Sequence, residues 1–362
     1  MKILIVTNHS YMLYQFRREL IAALLQRHEV VLSMPFVGHE DDLAAMGCRC
    51  VETRVDRRGI NPATDLALYR TYCRLLTAEK PDLVLTYSIK PNIYAGYACC
   101  RRGIPYCVNV QGLGTAFQKA GIAHLVTAMY RTALRKARTV FFENQGNAQE
   151  FLRRRIVPAQ KMTVLHGAGV NLERYAAQPY PDHGDAVHFL FLGRIMKEKG
   201  VDELFAAMQR LRAAYGARVV LDVVGFFEDA YKQTVEQLQT DGTVIFHGFQ
   251  SDPRPFYAAA DCVVLPSYHE GMSNVLLEAA ATGRPLVTSD IPGCREAVVD
   301  GETGFLCRVK DTDSLYEAMR RIVELPAPQR AAMGRLGREK MQRDFDKKRV
   351  VEQTVQAVEE IG

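Results

Sequence analysis

Residues 262–288 read CVVLPSYHEGMSNVLLEAAATGRPLVT. The apolar run Cys262–Leu265 has the character of a short buried strand and stops at Pro266. A polar loop follows. Ser273 or Asn274 is a good N-cap for a helix over Asn274–Thr282, and a second strand is expected over Pro285–Thr288. Strand, helix and strand in so short a span make a βαβ unit, which implies a parallel sheet.

The same alternation extends in both directions. Strands are expected at Lys2–Val6, Glu29–Met34, Cys48–Glu52, Leu83–Thr86, Cys107–Val110, Thr139–Asn144 and Thr163–Leu165. Helical patterns cover Gln15–Gln26, Ala63–Ala78 and Ile122–Arg138. Residues 178–186, with two prolines and a glycine, break the pattern and read as a linker. It restarts with strands at Val187–Leu192, Arg218–Val224 and Val244–Phe246, and helices near Val201–Tyr215, Asp229–Thr240 and Ser314–Glu324. The expected fold is α/β, with two doubly wound, Rossmann-like domains facing each other across a cleft. The first spans 1–177, the second 187–345, and a last helix within 346–362 crosses back to the first. Ligands of such sheets lie at the carboxyl ends of the strands.

Composition excludes several classes. The chain has 362 residues, with 48% hydrophobic and 24% charged, the profile of a soluble globular enzyme and not of a disordered chain. A net charge of +5 is mild, which argues against a nucleic-acid partner. Nine scattered cysteines without a Cys-x-x-Cys pair read as buried apolar residues of a reducing cytoplasm, not metal ligands. Neither a signal peptide nor a membrane span is expected.

Two stretches carry chemistry. In the first, the start of the helix after Ser273 offers free backbone N–H groups that suit a phosphate. Glu270 and Glu278 lie ~12 Å apart if helical, a spacing that suits the two ends of a nucleotide-sugar; taken alone, they also fit a loop carboxylate and a solvated helix residue. In the second, Gly193-Arg194 and Lys199-Gly200 follow the first strand of the second domain, so Arg194 and Lys199 reach the same sheet edge. Arginine offers a bidentate fork to a phosphate and lysine a mobile charge. Asp311-Thr312-Asp313 looks like a metal-binding Asp-x-Asp, but it precedes a helix, where Asp is a common N-cap.

The pairing of Gly-Arg-x-x-x-x-Lys-Gly with Glu-x7-Glu resembles family 4 of the GT-B glycosyltransferases. His166-Gly167-Ala168-Gly169-Val170-Asn171 and Pro292-Gly293 extend the likeness. In the first half, Phe16-Arg17, Lys90-Pro91-Asn92 and Gly112–Phe117 resemble bacterial transferases that extend undecaprenyl-diphosphate-linked sugars, such as the N-acetylgalactosaminyltransferase of bacterial N-glycosylation. The resemblance implies a retaining, metal-independent hexosyltransferase that needs no cofactor. It would move an N-acetylhexosamine or hexose from a UDP-sugar to a lipid-linked acceptor. Arg194, Lys199 and Glu270 would be catalytic. Gly193, Gly271, Met272, Ser273, Asn274, Val275, Leu276 and Glu278 would bind the donor, Glu278 through the ribose. His9, Arg17, Lys90, Asn92 and Gln111 would face the acceptor.

The chain departs from the family at two points. Thr7-Asn8-His9 replaces a Gly-Gly loop, and Gln111 stands where many members place a histidine. Gln cannot shuttle protons, which favours a mechanism in which the leaving phosphate helps deprotonate the acceptor. A basic amphipathic helix over 122–138, with Arg131, Arg135, Lys136 and Arg138, suits either a solvated face or an anionic membrane surface. The expected location is cytoplasmic, peripheral on the inner face of the cytoplasmic membrane. Two rivals share the architecture: a nucleotide-sugar 2-epimerase, and a non-catalytic membrane-associated nucleotide-sugar-binding protein.

Overall fold

The computed structural model describes residues 1–56, 61–113, 117 and 120–361; Gly114-Thr115-Ala116 of the Gly112–Phe117 motif lies outside them. The chain forms two compact units, Met1–Ala168 with Lys348–Gly362, and Gly169–Lys347.

In the first unit, strands β1 (Lys2–Val6), β2 (Glu29–Met34), β3 (Arg49–Glu52), β4 (Leu83–Tyr87), β5 (Tyr106–Val110), β6 (Thr139–Phe142) and β7 (Met162–Val164) form one sheet. Its order is β3-β2-β1-β4-β5-β6-β7, with every pair parallel. Helices α1 (Ser10–Leu25), α2 (Glu40–Ala45), α3 (Pro62–Glu79), α4 (Ile89–Arg102), α5 (Ala120–Ala133) and α6 (Gln145–Arg153) connect them. The sheet is buried on both faces. Leu4 and Val6 of β1 enter one core cluster, and Ile3 and Ile5 enter the other. That split follows from the two-residue period of a strand, and it explains why these strands read as unbroken apolar runs.

The second unit repeats the plan with β8 (Val187–Leu192), β9 (Val219–Val224), β10 (Val244–Gly248), β11 (Cys262–Leu265), β12 (Leu286–Ser289) and β13 (Gly304–Cys307). Its parallel order is β10-β9-β8-β11-β12-β13. Its helices are α7 (Val201–Tyr215), α8 (Lys232–Thr240), α9 (Arg254–Ala259), α10 (Asn274–Thr282), α11 (Thr312–Glu324) and α12 (Ala327–Asp344). Residues 169–186 pack on this unit: Val170 and Tyr175 enter its core, and the Tyr180 hydroxyl donates to the Asp261 carbonyl at 2.9 Å. The last helix, α13 (Lys347–Glu359), sets Val350 and Val358 in the first unit's core, and its Glu359 pairs with His28 at 3.2 Å.

Both sheets reverse strand order once, between β1 and β4 and between β8 and β11. At such a switch point the connections leave in opposite directions and open a crevice at the carboxyl ends. One expected element ends early. The helix expected over 122–138 stops at Ala133, whose carbonyl accepts from the buried Tyr106 hydroxyl at 2.6 Å. Arg135, Lys136 and Arg138 therefore lie on a turn leading into β6, while Val126, Tyr130 and Ala133 turn into the core.

Candidate functional site

The switch point of the second sheet carries both chemical stretches. Gly193 follows β8 and Ser267 follows β11, its neighbour in the sheet. Gly200, at φ 71°, lets the two loops meet, because a Cβ there would stand 2.1 Å from the Pro266 carbonyl oxygen. The Tyr268 N–H donates to the Glu198 carbonyl at 2.9 Å and closes the contact. Lys199 and Glu270 form a largely buried ion pair, and the Ser267 hydroxyl donates to the same Glu270 oxygen at 2.8 Å. Arg194 stays half exposed and pairs with Glu228 at 3.6 Å. Arg194 and Lys199 thus each have a carboxylate partner.

Gly293, at φ 88°, holds the other side of the loop. A Cβ there would meet the Gly271 oxygen at 2.3 Å, and the Gly293 carbonyl accepts from the Ser273 N–H at 2.9 Å. Ser273 caps α10, its hydroxyl accepting from the Leu276 N–H at 3.5 Å. Met272, Ser273 and Leu276 are buried, whereas Gly271, Asn274 and Val275 are half-buried. The amides of Asn274 and Val275 are therefore the ones this helix start presents to an anion.

Glu278 lies one turn deeper and is buried, not solvated, with 9% of its surface exposed. Its carboxylate accepts from the Tyr257 hydroxyl at 2.9 Å. Burial raises its pKa to about 7, against the pull of Tyr257, Tyr175, Lys347 and Arg174. Sequence reading missed an aromatic pair at the same edge. Phe226 follows β9 and Phe249 follows β10; they are 45% and 59% exposed, with ring centroids 6.3 Å apart. Two exposed phenylalanines after adjacent parallel strands are legible only once the strand order is known.

The first sheet builds its own switch-point cluster. Ser88 lies between β4 and α4 at φ 75°, ψ 155°, a conformation nearly confined to glycine. Its hydroxyl lies 2.8 Å from Asn8 Oδ1 and 3.4 Å from Gln111 Oε1. Gln111 also hydrogen-bonds Glu143, whose carboxyl burial pushes up and the adjacent Arg17 pulls back. Arg17 and Glu143 form a buried ion pair, with the guanidinium 5.2 Å from the Tyr87 ring centroid. His9, half-buried, begins α1 with its ring 6.1 Å from Tyr11. Lys90 pairs with Asp65 at 2.8 Å. Arg17 and Asn92 are buried, with partners inside the fold. Asn92 accepts from the Thr86 hydroxyl and donates to the Asn109 carbonyl, so it docks α4 onto β4 and β5.

Asp311 caps α11 by accepting from the Ser314 N–H at 2.8 Å, and Asp313 pairs with Arg210 at 2.5 Å. Among the described residues, no group of three or more His, Cys, Asp or Glu is placed to hold a metal ion. No helix there is long and apolar enough to cross a membrane.

Residues 15–168 match the family described as glycosyl transferase 4-like domain, and residues 186–324 match glycosyl transferases group 1. The chain is 26% identical over 342 residues to the N,N'-diacetylbacillosaminyl-diphospho-undecaprenol alpha-1,3-N-acetylgalactosaminyltransferase of Campylobacter jejuni, covering 90% of each. HepE of Anabaena, solved with UDP and glucose, superposes with a TM-score of 0.80 at 18% identity, covering 99% of this chain and 100% of that one. Sucrose-phosphate synthase from Thermosynechococcus elongatus superposes at 0.77 with 20% identity, covering 100% of this chain and 99% of that one. The two doubly wound units thus have the GT-B fold of these structures, and by the two family matches, which together span most of its length, the chain belongs to the glycosyltransferases, a glycosyl transferase 4-like domain followed by a group 1 domain.

Proposed function

We propose that the protein transfers an N-acetylhexosamine or hexose from a UDP-sugar to a lipid-linked acceptor, retaining the anomeric configuration and without a metal. The observation that carries this reading is the Lys199–Glu270–Ser267 cluster at the switch point, beside the start of α10. At rest Lys199 and Arg194 are balanced by Glu270 and Glu228. A donor diphosphate brings its own negative charge, takes over both cations and frees Glu270 to accept from a sugar hydroxyl. As the sugar–phosphate bond breaks, charge builds on the leaving diphosphate. Arg194, Lys199 and the amides of α10 are already in place to stabilise it, so little reorganisation accompanies the step.

Glu278 accepts from the ribose hydroxyls, and the Phe226–Phe249 pair offers ring faces to the base. In the first unit, Gln111 is oriented by Ser88 and Glu143 to hydrogen-bond the sugar or the acceptor. A carboxamide takes no proton near neutral pH, so the departing phosphate oxygen accepts the acceptor's proton on the same face. That geometry retains configuration. Lys90, paired with Asp65 at rest, is the cation this reading offers to the acceptor's diphosphate. The C. jejuni relative, whose name specifies an undecaprenol diphosphate-linked substrate, supports the acceptor class.

The test is incubation of UDP-N-acetylhexosamines and UDP-hexoses with an undecaprenyl-diphosphate-linked monosaccharide. Release of UDP with an α-linked product from an α-linked donor is expected. An inverted linkage contradicts the mechanism, and interconversion of the UDP-sugar without acceptor contradicts the function.

A further inference from the structure

A carboxamide has two unlike ends: its nitrogen donates and its oxygen accepts. Which end of Gln111 is turned outward therefore decides what it can bind. Gln111 hydrogen-bonds the Glu143 side chain. Glu143 is buried and forms an ion pair with Arg17, which is buried as well. Held as a carboxylate by that cation, Glu143 has no proton to give. The Gln111 Nε2 is then the donor of their shared bond.

The other end of the amide, Oε1, lies beside Ser88. In the sheet β4 stands between β1 and β5, so a hydroxyl just after β4 reaches the residues that follow both neighbours. That hydroxyl carries one proton. It goes to Asn8 Oδ1 at 2.8 Å, whereas Gln111 Oε1, at 3.4 Å, lies beyond the usual range of an O–H···O bond. The Gln111 oxygen thus keeps its capacity to accept. Asn8, Ser88 and Gln111 are all half-buried, so this group of oxygens is open to a ligand. The charge behind it is occupied: the Arg17 guanidinium is spent on Glu143 and stands 5.2 Å from the Tyr87 ring centroid.

We propose that Glu143 is a positioning residue that turns the Gln111 carbonyl oxygen outward, and that this switch point binds a hydrogen-bond donor of a sugar, a hydroxyl or an acetamido N–H. Lone pairs gathered around one hydroxyl attract O–H and N–H groups and repel an anion. The two switch points are then opposite in chemistry: the second sheet offers cations and amide N–H groups, and the first offers oxygens. Arg17, expected to face the acceptor, acts through Glu143 instead. The sugar rests on the transferase reading; the orientation of the amide does not.

Two measurements on the full chain test it. In the first, the protein is labelled with ¹⁵N-glutamine, and the Gln111 side-chain amide is identified by its loss in Gln111→Ala. Its hydrogen exchange is expected to be at least tenfold slower in the wild type than in the double variant Arg17→Leu, Glu143→Leu, with or without UDP. Equal exchange in the two overturns the orientation, even where sugar transfer is normal. In the second, each hydroxyl of the UDP-sugar and of the undecaprenyl-diphosphate-linked acceptor sugar is replaced in turn by fluorine, and an acetamido group by acetoxy. These groups fill the same place but donate no hydrogen bond. One replacement, on the donor sugar or on the acceptor sugar, is expected to lower kcat/KM at least tenfold more in the wild type than in Gln111→Ala and in the double variant. The intrinsic effect of fluorine is common to all three proteins and cancels. The sugar that carries the sensitive position is the occupant. If no position separates the wild type from the variants, the site reads no sugar donor group and the proposal fails. A slowly exchanging Gln111 amide in a protein that transfers no sugar supports the orientation and contradicts the proposed function, and with it the sugar occupant.

Discussion

Replacing Glu278 by glutamine removes one ionisable group and almost no volume. In the folded protein this carboxyl titrates at about 7 instead of 4.5, because burial outweighs the hydroxyl and the cations around it. At about 1.4 kcal/mol per pH unit, that rise corresponds to about 3 kcal/mol. Below pH 4.5 the group is protonated in both folded and unfolded chains, and stability is at its full value. Between 4.5 and 7 the folded chain keeps a proton that the unfolded chain has released, so stability falls as pH rises. Above 7 the whole penalty is present. A glutamine side chain at this position does not titrate, and its carbonyl still accepts from Tyr257. Relative to wild type, Glu278→Gln should therefore gain about 3 kcal/mol between pH 4 and pH 8, on the order of 10 °C in the melting temperature of a unit this size. Scanning calorimetry of the ligand-free proteins across that range measures it. Parallel pH dependences for wild type and variant would refute the burial argument. The same variant should bind UDP about tenfold more weakly at pH 8, since a carboxylate acceptor for the ribose is lost.

Three further outcomes follow from named contacts. Lys199→Ala should lower kcat by ~10²–10³, the cost of one charge-stabilising donor at a leaving group, while the fold stays intact by circular dichroism. Ser88→Gly should stabilise the first unit by about 1 kcal/mol, since glycine adopts φ 75° without strain, and should lower transfer rate because Asn8 and Gln111 lose their shared hydroxyl; chemical unfolding and a turnover assay read the two effects. Arg17→Leu should destabilise by about 3–5 kcal/mol by leaving Glu143 buried and unpaired, and the double variant with Glu143→Leu should recover most of it in urea melts.

The fold was legible where chemistry is local. The apolar runs at Val187–Leu192 and Cys262–Leu265 coincide with β8 and β11, because strands covered on both faces need no polar alternation. Helix α4 is not among the expected helices; its Pro91 stands in the first turn, where proline is tolerated. The overextended α5 failed for a tertiary reason, since the Tyr106 hydroxyl that donates to the end of that helix lies far along the chain. The two phosphate-suited stretches could be named from sequence, but not the adjacency of β8 and β11 that joins Lys199 to Glu270. The burial of Glu278 depends on Tyr257 and Tyr175 from other segments. The strained backbone of Ser88 leaves no mark in composition, since serine is not a residue that announces a positive φ.

In the proposed function the switch point of the second sheet binds the donor nucleotide through Lys199, α10 and Glu278, and calorimetric titration of UDP and GDP, with and without magnesium, into wild type, Lys199→Ala and Glu278→Ala decides whether it does. UDP is expected to bind the wild type independently of magnesium and at least tenfold more weakly to both variants. Equal UDP affinity in all three proteins, or binding of GDP alone, would overturn the assignment.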